Sequence, residues 1–389
     1  MKKVAIVTAT RAEYGLLSPV IKALRKYESS DFIVKLIVTG THLYESYGNT
    51  IKEIENDNVR IDYRISIAID NESDKDVSTN QADALVKFTN HFSEEQYDGV
   101  ILLGDRYEML AIAIAAGNTK TPIFHLCGGD TTEGAMDEWI RHSITKMSYL
   151  HFTTNEVSRK RVVQLGEEPQ RVFNYGSTSI DNIIQLADMS KEDALRSIGL
   201  SDCKYALCTY HPVTLETETV ENQIEELLTA IKSFPNIQFI VTKSNADQGG
   251  EHINELLDKA VESVDNIHVY ASLGVKRYLS LMKHSEFVIG NSSSGIIETP
   301  AFHIPTVNIG DRQRGRLQSE SIINCRSNSY SIINAITMAL TDEYKKICQK
   351  SISQYGDGHA ANRIADKVVE VIKDGRIDLK KKFYDLDYK

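Results

Sequence analysis

The chain has 389 residues, 41% hydrophobic and 25% charged, with a formal net charge of −10 at pH 7. That length suits two domains rather than one core, the composition excludes wholesale disorder, and the acidic balance argues against nucleic acid or a membrane surface as main partner. Five cysteines with no C-x-x-C pair fit neither a disulfide framework nor a zinc knuckle, so a reducing, cytoplasmic setting is expected.

Lys2-Lys3 leads into an apolar run, 4–10, that is too short to span a bilayer and lacks a small-residue cleavage site. It reads as a first β-strand. Further strands are expected at 32–39, 99–104, 123–126, 150–154 and 172–175, with amphipathic helices such as 16–27 and 107–116 between them. The stretch 71–79 reads as a mobile polar loop. The second half repeats the style at 205–210, 238–242, 267–270, 287–289 and 306–309. Continuous apolar strands alternating with helices mean parallel sheet covered on both faces. The break is expected within the polar stretch 189–204, giving an N-terminal domain over 1–188 and a C-terminal one over 189–360. The helical pattern 361–372, with the residues up to 389, is expected to pack back on the first domain.

Ligands of such sheets bind beyond the carboxyl ends of the strands, and the unusual residues of this chain collect there. After the first strand, Thr10-Arg11-Ala12-Glu13-Tyr14-Gly15 lacks the G-x-G-x-x-G of a dinucleotide site. Arg11 at a helix N-terminus suits a phosphate, or is a solvated surface arginine. Gly104-Asp105-Arg106 offers a general base and a phosphate anchor, or a salt-bridged cap. The loop after His125-Leu126-Cys127 carries Gly128, Gly129, Asp130, Glu133 and Asp137. Its paired glycines permit close approach of backbone to a ligand, and its carboxylates are either proton-moving groups or a solvated acidic loop. Arg141 and His142 follow, with a structural salt bridge as their expected role. His211 stands at a strand exit, as a catalyst or as a satisfied core histidine. Gly290-Asn291-Ser292-Ser293-Ser294-Gly295 reads as an anion cradle or a serine-capped helix, with Glu298 one turn on, placed to accept from ribose hydroxyls. Asp311 to Arg316 gathers Arg312, Arg314 and Arg316, a local cation cluster for a phosphate or sugar acid. The pairs Asp74/Asp76 and Asp385/Asp387 are poor metal sites, and no metal or organic cofactor is expected.

Taken in order, these words resemble the hydrolysing UDP-N-acetylglucosamine 2-epimerase family that starts sialic acid synthesis. The matching words are T-R-A-E-Y-G, G-T-H-L with Y-G-N-T, G-D-R-Y-E, G-G-D-T-T-E-G-A, I-R-H-S-I-T-K-M-S, Q-L-G-E, H-P-V-T, S-N-A-D, G-N-S-S-S-G, G-D-R-Q-R-G-R and Y-G-D-G, spanning residues 10–358. The resemblance implies an α/β fold of two Rossmann-like domains facing a central cleft, glycosyltransferase-B-like, that takes a UDP-sugar. It implies Arg11, Ser292 and Ser293 on the diphosphate, Glu298 on the ribose and the segment around Leu273 on the uracil. His42, Arg106, Asn245 and Arg312 join the substrate contacts, and Asp105, Asp130, Glu133, Asp137 and His211 the catalytic set. The reaction implied is C2 deprotonation with loss of UDP through 2-acetamidoglucal, then hydration to N-acetylmannosamine. A homodimer or homotetramer is what the family suggests.

This chain departs from the family at Cys127, where relatives carry Glu or His, and at Asp130, where they carry Glu. A thiol moves a proton at neutral pH less readily than a carboxylate or imidazole. The alternatives kept open are the same reaction on a UDP-linked 2,4-diacetamido-trideoxy sugar bound for legionaminic acid, a non-hydrolysing epimerase, a glycosyltransferase, and a non-catalytic nucleotide-sugar sensor.

Overall fold

Alternating apolar runs produce thirteen parallel strands in two sheets of the computed structural model, which describes residues 1–70, 73–131, 136–211, 219–243, 250–261 and 264–387. The first sheet holds β1 (Lys2–Thr8), β2 (Phe32–Thr39), β3 (Tyr63–Ile65), β4 (Gly99–Leu103), β5 (Ile123–Leu126), β6 (Leu150–Thr153) and β7 (Val172–Asn174), in the order β3-β2-β1-β4-β5-β6-β7. The second holds β8 (Tyr205–Thr209), β9 (Gln238–Thr242), β10 (Ile267–Tyr270), β11 (Phe287–Gly290), β12 (Thr306–Ile309) and β13 (Ile322–Cys325), in the order β10-β9-β8-β11-β12-β13. Both are α/β layers of the doubly wound kind. In each, strand order reverses once, between β1 and β4 and between β8 and β11, and such switch points are where ligands bind.

The chain divides into two units, Met1–Asp181 with Tyr355–Lys389, and Asn182–Gln354. The division falls inside the helix Thr178–Leu186, ahead of the polar stretch at 189–204. Asp181 explains the placement, because its carboxylate accepts from the backbone N–H groups of Ala360 (3.2 Å) and Ala361 (2.9 Å) and so caps a helix of its own unit. That helix, Ala360–Asp374, buries Ala361, Ile364, Ala365, Val368, Val369 and Ile372 in the core beside β1 and β2. Each such aliphatic contributes about 1.5–3 kcal/mol for Val or Ile relative to exposure.

Two short strands, β3 and β13, were not among those expected from sequence, and the stretch 71–79 differs as well. The helix Asp74–Glu94 runs through most of it. Ser73 caps this helix by accepting from the N–H of Asp76 at 3.3 Å. The polar reading came from its exposed first turn; the buried face begins at Asn80 and continues through Ala84, Phe88 and Phe92. Among the described residues no helix is long and apolar enough to cross a membrane.

Candidate active site

The exits of β1 and β4 flank the switch point of the first unit. Thr10 caps the helix Arg11–Arg25 in a capping box with Glu13, whose Oε2 accepts from the N–H groups of Ala9 (2.7 Å) and Thr10 (3.1 Å). Burial first, and the Glu108 carboxylate second, push the Glu13 carboxyl up to about 8. Arg106 holds Glu108 through Nε at 2.6 Å. Arg11 pairs with Glu53 at 3.0 Å on the surface. His42 is fully buried, between Thr8 (3.1 Å) and Thr50 (2.8 Å), and burial lowers its imidazole to about 4. The geometry thus gives His42 a fastening role at the β1 exit.

Gly104 (φ +79) turns the chain out of β4 and hands it to Asp105. His125 on β5 is fully buried, with Nε2 2.8 Å from the Gly104 carbonyl and Nδ1 3.2 Å from the Thr145 hydroxyl. A carbonyl only accepts, so Nε2 carries the proton and Nδ1 accepts from Thr145. Burial lowers this imidazole to about 3, which keeps it neutral. His125 thereby ties the Asp105 turn to the helix Met136–Met147, a connection that sequence reasoning missed because a buried histidine on a strand reads as core.

The same helix presents Asp137 and Arg141. Arg141 is 4% exposed; its Nη2 pairs with Asp105 and its Nη1 reaches Glu138 at 3.2 Å and the Asp130 carbonyl at 2.8 Å. Partial burial of its carboxyl first and the Asp105 carboxylate second raise Asp137 above the usual range, with Arg141 and Arg106 opposing. Asp105 pairs with Arg141, and Asp137, one turn before Arg141 on the same helix, feels the charges of Asp105, Arg141 and Arg106.

Asp130 meets Arg141 through its carbonyl, and its side chain is engaged elsewhere. Its carboxylate accepts from Ser158 (2.5 Å), Thr154 (3.1 Å) and Asn155 (3.5 Å), at the cap of the helix Glu156–Gln164. The glycines before it pack tightly against their neighbours. A Cβ on Gly129 (φ +83) would lie 2.3 Å from the Ser158 carbonyl, and one on Gly128 2.9 Å from Thr145. This geometry predicts that Asp130→Asn keeps turnover within about 3-fold while costing up to ~1–3 kcal/mol of stability, since the Asn amide cannot accept from all three donors. Parallel turnover and urea-unfolding measurements check it; an activity loss of two decades with stability intact would return Asp130 to the catalytic set. Cys127 sits half-buried at φ +64, its N–H donating to Phe152 O at 2.9 Å.

In the second unit the exits of β8 and β11 are bolted together. Gly290 (φ +132) lies so close to β8 that a Cβ would meet the Thr209 carbonyl at 1.9 Å. Asn291, fully buried, exchanges hydrogen bonds with the His211 backbone at 2.7 and 2.8 Å. Arg312 (3.1 Å) and Gln313 (2.8 Å) donate to the Asn291 carbonyl. His211 is buried at this exit. Ser292 caps the short helix Ser293–Ile297, accepting from Ser294 N–H at 3.4 Å. Burial raises the Glu298 carboxyl, opposed by a hydrogen bond from Ser294. Leu273 is buried in the core of its unit, with its carbonyl accepting from Arg277 Nε at 2.7 Å. Glu133 and Asn245 lie outside the described residues.

The model of the UDP-N-acetylglucosamine 2-epimerase family matches residues 23–369. The chain belongs to that family. Its match to the Escherichia coli polysialic acid biosynthesis protein is 38% identical over 99% of this chain and 98% of that one. A hydrolysing GDP/UDP-N,N'-diacetylbacillosamine 2-epimerase of Campylobacter jejuni is 41% identical over 84% of this chain and 85% of its own. The crystal structure of the Neisseria meningitidis UDP-GlcNAc 2-epimerase bound to UDP-GlcNAc superposes with a TM-score of 0.82 at 21% identity, covering 95% of this chain and all of that one. The family's fold is glycosyltransferase-B-like, and the two parallel-sheet units of this chain share it.

Proposed function

We propose that the chain is a hydrolysing UDP-sugar 2-epimerase that feeds the synthesis of sialic-type acids, converting UDP-N-acetylglucosamine and water to N-acetylmannosamine and UDP. The observation that carries this reading is Asp137, raised in pKa beside the Asp105–Arg141 pair at the β4 exit. A carboxylate that holds protons more tightly than usual is a better base towards a weakly acidic C–H. In the first step Asp137 takes the C2 proton, the C–H pair forms the C1=C2 bond, and the C1–O bond breaks to release UDP. In the second step water adds its oxygen at C1 and a proton reaches C2 from the opposite face.

C2–H has no neighbouring carbonyl, so stabilising the departing diphosphate supplies much of the drive. Ser292, Ser293, Arg11, Arg106 and Arg312 are the proposed diphosphate contacts, and Glu298 the ribose contact. His211 delivers or removes the proton of water, and Asp105 holds Arg141 and sets the charge around Asp137. Homo-oligomeric assembly and a cytoplasmic location belong to the same reading.

The 41%-identical relative favours a second substrate, the UDP-linked 2,4-diacetamido-trideoxy sugar. Both are tested by incubation in D2O. Free UDP with deuterium at C2 of the released sugar is expected, and the substrate with the larger kcat/KM is the physiological one. Release of sugar that keeps its original C2 proton would overturn elimination in favour of simple hydrolysis or transfer.

A further inference from the structure

The segment 376–387 has no regular secondary structure, yet it is fastened at several points, to the C-terminal end of the helix Met136–Met147 and to the neighbouring turn at Gly166 and Glu167. Lys381 Nζ donates to the carbonyls of Lys146 (2.9 Å) and Ser148 (2.6 Å), at the C-terminal end of the helix Met136–Met147. An ammonium there satisfies carbonyls left over by the helix and meets the negative end of its dipole. The same ammonium lies 2.6 Å from Glu167 Oε2. Glu167 is 1% exposed and also takes Lys146 at 2.8 Å and His151 at 3.0 Å. Burial works to raise Glu167, but His151 and the two lysines outweigh it and hold its carboxyl down at about 2. Two residues on, the Phe383 ring lies against Gly166, where a Cβ would meet it at 2.4 Å, and the Lys146 ammonium stands 4.6 Å from the ring centre. Tyr384 N–H completes the attachment at the Gly166 carbonyl, 3.0 Å away.

We propose that this segment is a strap whose Lys381 positions the helix Met136–Met147, and with it Asp137 and Arg141, for the reaction. Lys381 touches no reacting group; it is a positioning residue. The proposal rests on the role given to Asp137 above. The helix is a rigid rod, and at ~1.5 Å rise per residue its gripped end lies roughly 14 Å from Asp137. A tilt at one end therefore displaces the other, and misplacing a catalytic group by ~1 Å can cost ~10²-fold. The family model's match ends at residue 369, upstream of the strap.

The test compares Lys381→Met, Phe383→Ala and Lys381→Arg in the full chain. It reads kcat, KM and acrylamide quenching of Trp139, the single tryptophan of the chain and a half-exposed residue of this same helix. Lys381→Met is expected to lose about 10-fold in kcat with KM nearly unchanged and with altered Trp139 quenching, and Phe383→Ala to change in the same direction. Lys381→Arg, which keeps the charge and donors, is expected to restore both signals. A strap that served stability alone would lower the melting temperature and leave kcat and Trp139 quenching at the parent's values well below it; that outcome overturns the proposal. If the parent turns over no UDP-sugar, the proposed activity fails, and the Trp139 comparison still decides whether the strap holds the helix.

Discussion

Asp137→Asn is expected to lower sugar release by about 10²–10⁴-fold, the usual worth of a general base, while UDP affinity stays at the parent's value. The amide keeps the shape of the carboxyl but cannot take the C2 proton. The same change is expected to raise the melting temperature slightly at neutral pH. An aspartate whose folded pKa is raised favours the folded state in acid, and that contribution is lost as pH rises through the raised value. The neutral amide escapes the loss. Turnover, UDP titration and thermal melting on one variant check all three. Retained turnover would move the base to Asp105 or to Glu133, and a drop in melting temperature would make Asp137 a structural group.

Arg141→Met is expected to be the most damaging single change around this carboxylate group. It leaves Asp105 and Glu138 without their shared cation and the Asp130 carbonyl without a donor. Breaking a buried pair costs ~3–5 kcal/mol; both carboxylates keep some exposure, 25% and 29%, so about 2–3 kcal/mol is expected after screening. Urea unfolding measures it, and a loss below about 0.5 kcal/mol, the scale of a surface pair, would mean that solvent already holds these charges. The surviving activity should show its acidic limb at higher pH, because Arg141 is one of the groups that lower Asp137 against Asp105. Arg141→Lys restores one charge but not the planar fork that reaches three acceptors, so stability should recover further than turnover.

The places where side chains leave the sheets were legible before the fold was known. Strand runs ending in Asp105, His211 and Asn291 announced their own exits, because a parallel strand is apolar throughout and its first polar residues mark the end. What those polar residues touch was not legible. Asp105 and Arg141 lie 36 positions apart, and only the adjacency of β4 to β5 and its following helix brings them together. Asp130 looked like Asp137 in sequence, and only the Ser158, Thr154 and Asn155 donors distinguish a helix fastening from an open carboxylate. The helix Asp74–Glu94 was hidden for a local reason, since its polar first turn precedes the first buried position.

The capping of Ala360 and Ala361 by Asp181 has a consequence for how the molecule is made. Unit 2 is one continuous stretch, so all of it emerges from the ribosome as a block and can close its own sheet at once. Unit 1 is translated first but finishes last. Until the helix Ala360–Asp374 appears, the core it shares with the helix Arg11–Arg25 lacks Ile364, Val368 and Ile372, and Asp181 has no helix to cap. For the whole time of synthesis of the intervening 173 residues, Asn182–Gln354, the first unit is without this part of its core. Vectorial synthesis therefore leaves this half of the enzyme to be completed only by the last part of the chain to be made.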